Sequence, residues 1–302
     1  MRHLLNIEDL TNEGVLSLFN LAARLKRERG QSAEKPLAGK SVGLIFYKAS
    51  TRTRVSFEVG IHELGGHPLF YDSNNLQIGR GETIADTARV LSRYLHAVII
   101  RTFAQKDLEL FAANSSVPVI NGLTNEFHPC QALADAFTIY ELKGRLDGVR
   151  LTYLGDGASN MANSLMLFAK LLNMRMTVCA PDKFAPRLEI LKDSPGNGSV
   201  VFEKDPAKAV AGAEFLYTDV WVSMGFESEE RERVDVLRPY QLNAALVAKA
   251  AKGARVLHCL PAHRGMEITD EVMDGPASIV FDQAENRLHV QKAVLMTLLP
   301  KA

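Results

Sequence analysis

The sequence predicts an α/β fold of two doubly wound parallel-sheet domains, and three observations predict it. Strand-like and helix-like segments alternate along the chain, which implies βαβ units and parallel sheets. The alternation runs once to about residue 142 and then restarts beyond a polar, glycine-bearing joint, "KGRLDG" (143–148). The length, 302 residues, suits two domains of about 150 residues each. The boundary is therefore placed between 145 and 146. A first domain covers 1–145, a second covers 146–283, and a last helix, about 284–302, packs back onto the first.

The elements follow in order. An amphipathic segment at about 7–28 reads as a helix. "SVGLIFY" (41–47) is an apolar strand. After it Phe57, Ile61 and Leu64 recur at the spacing of one helical face, and Gly65-Gly66 supplies the stop. Next come the strand "PLFYD" (68–72), a helix over about 82–95, the strand "AVIIRT" (97–102), another helix, and "VPVING" (117–122). A helix over about 131–142 leads into the joint. The second series opens with "VRLTYLGD" (149–156), a helix over about 160–172 and "RMTVCA" (175–180). Its later strands are "SVVFE" (199–203), "EFLYTDV" (214–220), "ARVLHCL" (254–260) and "SIVFD" (278–282). The terminal helices, about 7–28 and 284–299, are expected to pack across the domains. Ligands of open parallel sheets bind beyond the carboxyl ends of the strands, and the conspicuous polar residues of this chain fall there.

Composition narrows the classes of partner. Thirty-five basic residues balance 35 acidic ones, so no bulk charge favours nucleic acid or a membrane surface. The three cysteines, Cys130, Cys179 and Cys259, are far apart with no CxxC pair. That is not a disulfide framework and fits a reducing compartment. The first residues turn acidic too soon for a signal peptide, and no apolar run reaches the ~20 residues of a membrane span. A cytoplasmic protein is expected.

The densest polar stretch is "FYKASTRTRVSFE" (46–58), where a strand becomes a helix. A helix start leaves backbone N–H groups pointing outward at the positive end of the dipole, which suits phosphate. Ser50, Thr51 and Thr53 add hydroxyls, and Arg52 adds a planar fork for phosphate oxygens. Arg54 lies four residues before Glu58, so an ion pair along the helix competes with a ligand role. The glycines and lysine of a Walker loop are absent, which favours a small phosphorylated compound over a nucleotide.

Arg101 ends the strand "AVIIRT", where a sheet-rim residue and an anion ligand read alike. "NEFHPCQALAD" puts His128 before Pro129 at a helix start, followed by Cys130 and Gln131. A cysteine two residues from a histidine is weak evidence for thiol catalysis. "YLGDGASNMANS" has the spacing GxGxxN and lacks a clear strand-ending acid about 20 residues on, which argues against a nicotinamide site. Asn160 there is either a ligand residue or a helix cap. Asp219 ends a strand ahead of Ser223-Met224-Gly225 and a charged run through Asp235, a pattern of solvated loops that often serve as lids. "VLHCLPAHRG" ends a strand with His258, Cys259 and Leu260. His258, Cys259 and His263 suggest zinc, but nothing nearby completes a tetrahedral set.

Together these residues resemble the aspartate/ornithine transcarbamoylase family. The matching pieces are F-x-K-x-S-T-R-T-R (46–54), Gln77-Ile78-Gly79, Arg101, His128-Pro129-Cys130-Gln131, Asn160, Asp219 with Ser223-Met224-Gly225, His258-Cys259-Leu260-Pro261 and Glu285-Asn286-Arg287. They stand in the family's order and span nearly the whole chain. The S-M-G loop with H-C-L-P distinguishes the family's ornithine branch from its aspartate branch. Tyr47 and Ala49 replace a Glu and a Pro often seen there, changes expected to tune packing.

The resemblance implies transfer of a carbamoyl group from carbamoyl phosphate to the δ-amine of L-ornithine, in a cleft between the two domains. It implies that Ser50, Thr51, Arg52 and Thr53 hold the phosphate, with Gln77 reaching in from a neighbouring subunit and Arg287 adding charge. Thr53, Arg101 and His128 would donate to the carbonyl oxygen as negative charge develops, in the manner of an oxyanion hole. Gln131 and the carbonyl of Leu260 would hold the carbamoyl NH2. Asp219 would accept from the α-ammonium of ornithine, Asn160 with Ser223 and Met224 would hold its carboxylate, and Cys259 would lie beside the δ-amine. No cofactor, metal or covalent intermediate is implied, and the expected assembly is a homotrimer or a multiple of it. Aspartate, putrescine and acetylated ornithine are alternative acceptors, and a non-catalytic phosphate-binding protein is the alternative of another class. Asp219 argues against aspartate, and the Ser223-Met224 segment argues against putrescine, which has no carboxylate.

Overall fold

Strands with no polar face need cover on both sides, and this chain supplies helices after almost every strand. The computed structural model describes residues 1–31, 34–72, 81–222 and 230–299. The Gln77-Ile78-Gly79 turn and Ser223-Met224-Gly225 lie outside the described residues. The chain forms two compact units, Met1–Ala134 with Asn286–Ala302, and Asp135–Glu285.

The first unit contains a parallel sheet of β1 (Ser41–Phe46), β2 (His67–Asp72), β3 (Ala97–Arg101) and β4 (Val119–Leu123), in the order β2-β1-β3-β4. Every residue of β3 is buried, as are all of β1 after Ser41. Its helices are α1 (Asn12–Arg27), α2 (Thr51–Glu63), α3 (Ile84–Leu91), α4 (Gln105–Asn114) and the start of α5 (Pro129–Lys143). Ile45, Val98 and Ile100 pack with Ala88, Leu108, Phe111 and Ala112 in one core. Two caps divide the N-terminal segment: Asn6 caps a short turn at Ile7–Asp9, and Thr11 caps α1 by accepting from the Gly14 amide at 3.1 Å. Along α1, Val15, Leu18, Phe19, Ala22 and Leu25 are buried at three- and four-residue spacing.

The second unit contains a parallel sheet of β5 (Arg150–Leu154), β6 (Arg175–Cys179), β7 (Ser199–Glu203), β8 (Phe215–Thr218) and β9 (Arg255–His258), in the order β7-β6-β5-β8-β9. Its helices are α6 (Asn160–Leu171), α7 (Pro206–Ala209), α8 (Glu230–Leu237), α9 (Ala244–Val247) and α10 (Asp270–Met273). Helix α11 (Val280–Leu298) starts in this unit and ends in the first. The division by contacts falls inside α5 and inside α11, so two continuous helices carry the chain from one unit to the other. Helix α1 lies wholly in the first unit. No helix among the described residues is long and apolar enough to cross a membrane.

"SIVFD" (278–282) is not the expected tenth strand. Ser278 makes a single bridge to Val256, and the Ile279 amide donates to the Val256 carbonyl at 3.0 Å. The Gln283 amide then donates to the Ile279 carbonyl at 2.9 Å, which opens α11. An apolar run this short carries no period that separates strand from buried helix.

Candidate active site

The helix start after β1 sorts its hydroxyls by position. Ser50 has extended backbone and caps α2, its Oγ accepting from the Thr53 amide at 3.3 Å. Thr51 and Arg52 are exposed, whereas Thr53 is buried. Ser56 turns back on the helix and donates to the Thr53 carbonyl at 3.2 Å. The first turn of α2 holds no acidic residue, so nothing there already answers the dipole. Arg54 Nε donates to Glu58 Oε1 at 3.0 Å, and its guanidinium stacks on the Phe70 ring at 3.6 Å. Those contacts make Arg54 a surface brace.

β3 lies beside β1, with Arg101 opposite Phe46 and the Tyr47 amide donating to the Arg101 carbonyl at 2.8 Å. Ile100 pairs with Asn121 but Arg101 pairs with Leu123, leaving Gly122 as the extra residue of a bulge. A Cβ at Gly122 would stand 3.2 Å from the Ile100 carbonyl oxygen, which favours glycine there. Bulges bend the local strand and re-aim side chains, and Arg101 is buried at this one.

His128 precedes Pro129 at the start of α5, and its carbonyl accepts from the Gln131 and Ala132 amides, both at 3.1 Å. Burial, with the charges of Arg287 and Arg101 adding to it, holds its imidazole well below the usual pKa of 6.5. His128 is thus neutral near pH 7 and keeps one ring N–H to donate. Arg287, from α11, donates to the Gln131 Oε1 and to Thr53 Oγ1, the latter at 3.1 Å. It thereby joins the start of α2 to the start of α5 and leaves the Thr53 hydroxyl proton for another acceptor. Behind it Lys26 Nζ donates to Asn286 Oδ1 at 2.8 Å and Lys292 Nζ to Glu63 Oε2 at 2.6 Å, fixing α11 against α1 and α2. Cys130 is buried, donates to the Asn121 carbonyl and is pushed up to about 12 by burial. It is no nucleophile near neutral pH.

In the second unit β8 and β9 are neighbours, with Thr218 opposite His258. The residues that follow therefore emerge together: Cys259 Sγ donates to Asp219 Oδ1 at 2.8 Å, and the Val220 amide donates to the same oxygen at 2.8 Å. Burial raises the Asp219 pKa, and the hydrogen bonds from Cys259 and Val220 offset only part of that. A buried carboxylate of this kind favours a cationic guest. Leu260 takes the left-handed conformation, with φ of +58°, and a cis bond to Pro261 follows. Its amide donates to His258 Nδ1 at 2.9 Å, so His258 carries its proton on Nε2 and gives it to Glu267 Oε1 at 3.1 Å.

Asp219, His258 and Cys259 are the one trio of potential metal ligands found among the described residues, their ligand atoms within 4.8 Å of one another. Both ring nitrogens of His258 are committed, one accepting and one donating, so the imidazole has no lone pair to give a metal.

Asn160 opens α6, but the cap is Ser159, whose Oγ accepts from the Ala162 amide at 3.1 Å. That removes the helix-cap reading of Asn160. In "LGDGAS", Gly157 is required by packing, since a Cβ there would stand 2.8 Å from the Phe184 carbonyl oxygen. Asp156 accepts from Arg233 Nη1 at 2.8 Å, and the same nitrogen reaches the Trp221 carbonyl at 3.3 Å. The charged run thus continues into α8, whose Arg233 is buried.

The structure brings Ser50, Thr53, Arg101, His128, Gln131 and Arg287 to the carboxyl edge of the first sheet, and Asn160, Asp219, Cys259 and Leu260 to that of the second. Gln77, Ser223 and Met224 lie outside the described residues. Sequence reasoning missed Glu267, Gln283 and Asp135, which support the His258–Leu260 turn. Gln283 stands four residues before Arg287 on α11, a signal hidden while 278–282 was read as strand.

Comparison with known proteins bears on the family and the fold. Residues 2–141 match the carbamoyl-P binding domain of aspartate/ornithine carbamoyltransferase, and residues 147–298 match its Asp/Orn binding domain. An ornithine carbamoyltransferase of Rhodococcus opacus is 52% identical over 305 residues, covering 99% of this chain and 96% of that protein. One from Archaeoglobus fulgidus is 50% identical over 303 residues, covering 100% and 98%. The solved structure of ornithine carbamoyltransferase from Pyrococcus furiosus superposes with a TM-score of 0.94 at 47% identity, covering 100% of this chain and 98% of that one. With both domains matched in order and half the residues identical along its length, this chain belongs to the aspartate/ornithine carbamoyltransferase family.

Proposed function

We infer that this protein transfers the carbamoyl group of carbamoyl phosphate to the δ-amine of L-ornithine, giving L-citrulline and phosphate. The observation that carries the reading is the chemical opposition of its two strand edges. One gathers Arg101 and Arg287 around a neutral His128 beside a helix start. The other buries Asp219 against the Cys259 thiol.

Carbamoyl phosphate places its phosphate at the α2 start, on Ser50, Thr51, Arg52 and Thr53, with Arg287 behind. Gln77 of a neighbouring copy completes this set in a trimer, and sedimentation tests the assembly: a fully active monomer would overturn it. The carbonyl oxygen takes hydrogen bonds from Thr53, Arg101 and His128, donors that strengthen as the tetrahedral centre acquires charge. Gln131 and the Leu260 carbonyl accept from the carbamoyl NH2. Asp219 accepts from the α-ammonium of ornithine, and Asn160 with Ser223 and Met224 binds the α-carboxylate. The δ-amine must lose its proton before attack, because a free alkylamine is mostly protonated near pH 7. Cys259 donates its thiol proton to Asp219, so its sulfur lone pairs remain to orient the amine. The amine nitrogen bonds to the carbonyl carbon, the C–O bond to phosphate breaks with its electron pair going to the phosphate oxygen, and the N–H proton passes to the departing phosphate. Alignment of two substrates and charge stabilisation supply the acceleration. No step uses a cofactor, and the reading places the protein in the cytoplasm.

The test is an acceptor panel with saturating carbamoyl phosphate, following citrulline and phosphate. Ornithine is expected to exceed acetylated ornithine, putrescine and aspartate. Preference for any of those changes the acceptor, and no product from any of them leaves a phosphate-binding protein.

A further inference from the structure

β9 is the edge strand of the second sheet, and its exposed side needs hydrogen-bond partners. Two come from the segment before α11: the Val256 amide donates to the Ala277 carbonyl at 2.9 Å, and the Ile279 amide donates to the Val256 carbonyl at 3.0 Å. In a parallel ladder the His258 amide would go next to the Ile279 carbonyl. That carbonyl is taken by the Gln283 amide as α11 begins. The Gln283 side chain supplies the replacement, its Oε1 accepting from the His258 amide at 2.9 Å.

A buried amide needs its other end fixed to keep that orientation. Gln283 Nε2 donates to Asp135 Oδ1 at 2.6 Å and lies 3.4 Å from Tyr217 Oη. Tyr217 Oη donates to Asp135 Oδ2 at 3.0 Å. Gln283, Asp135 and Tyr217 are all fully buried. Both Asp135 oxygens accept, from Gln283 Nε2 and Tyr217 Oη, so Asp135 holds the NH2 of Gln283 and directs the amide oxygen to His258. The two residues after His258 are Cys259, on Asp219, and Leu260, in its left-handed conformation.

We propose that Asp135 and Gln283 are positioning residues for the acceptor side of the reaction, holding the His258–Leu260 backbone so that Cys259 stays on Asp219 beside the δ-amine. The proposal rests on the carbamoyl-transfer reading above. The same two helices repeat the contact one turn along, where Gln131 of α5 accepts from Arg287 of α11.

The test is a donor–acceptor exchange. Asp135→Asn and Gln283→Glu each break the match, the first by leaving one acceptor oxygen for the two donors Gln283 Nε2 and Tyr217 Oη, the second by setting carboxylate against carboxylate. The double variant restores it: the Asn amide donates to the Glu carboxyl, whose other oxygen accepts from His258, with one carboxyl group in the site as before. Each single variant is expected to lower kcat/KM for ornithine about tenfold or more, with a smaller loss of carbamoyl phosphate affinity, to which this segment contributes only the Leu260 carbonyl. The double variant is expected to recover most of that loss. Gln283→Met, neutral and similar in volume, covers the case of a single variant that does not fold, and should show the same split between substrates. Unchanged ornithine kinetics in folded single variants would overturn the proposal, as would equal losses for both substrates or a folded double variant without recovery. Wild-type protein that makes no citrulline would instead refute the underlying activity.

Discussion

The two strand edges use charge in opposite ways. On the first, Arg287 ties the start of α2 to the start of α5, and with Arg101 it helps keep His128 neutral. On the second, a carboxylate is held out of water with a thiol and one amide on it. On the proposed reading the first takes an anion and the negative charge that develops on a carbonyl oxygen. The second is arranged for a cation, whose arrival would lower the raised pKa of Asp219.

Substitutions can break this contrast at graded cost. The largest effect is expected for Arg101→Met: loss of a preorganised donor should lower kcat by about 10² to 10³ with little change in ornithine KM. A loss confined to KM would make Arg101 a binding residue only. Asp219→Asn is expected to raise ornithine KM by about 10², since a partner of a buried charge is removed. Its affinity for carbamoyl phosphate, measured by calorimetry, should stay near that of the wild type. Arg52→Ala should do the reverse, weakening carbamoyl phosphate by about 10- to 100-fold, the range of a charge-assisted hydrogen bond. Equal damage to both affinities in both variants would dissolve the division into two half-sites.

The pH dependence of stability sharpens the contrast on the first side. Because the folded pKa of His128 lies below its usual 6.5, the unfolded chain takes up the proton first. The stability that neutral His128 confers is therefore complete above about 6.5 and lost as pH falls toward the folded value. Denaturant midpoints of His128→Gln should decline less steeply over that acid range than those of the wild type. An identical slope would show that His128 is not held neutral by its neighbours. The smallest effects are expected for Arg54→Ala, whose partners lie at the surface: less than about 1 kcal/mol in stability, with activity near wild type in the same assay.

Local order made much of this legible. The strand–helix alternation, the helix start after "SVGLIFY" and the helix-opening proline after His128 are statements about neighbouring residues, and all are present in the folded chain. Arg54 as a brace was also readable, since Glu58 is one turn away. Asn160 was not decided by sequence, because "SN" offers two capping residues and only the geometry shows Ser159 in the role. Gln283 was hidden because the three apolar residues Ile279 to Phe281 just before it fit a strand as well as a helix, and its partners stand far off in the chain.

By itself the sequence determined the two parallel sheets, the phosphate-ready helix start and the identity of the chemical groups, because propensity, period and capping act within a few residues. Tertiary structure alone decided which of those groups meet. It set Arg287 on Thr53 and Gln131, Cys259 on Asp219, and Gln283 in place of a missing strand. Such contacts join positions tens to hundreds of residues apart, and their geometry comes from sheet register and helix packing, which no local pattern encodes.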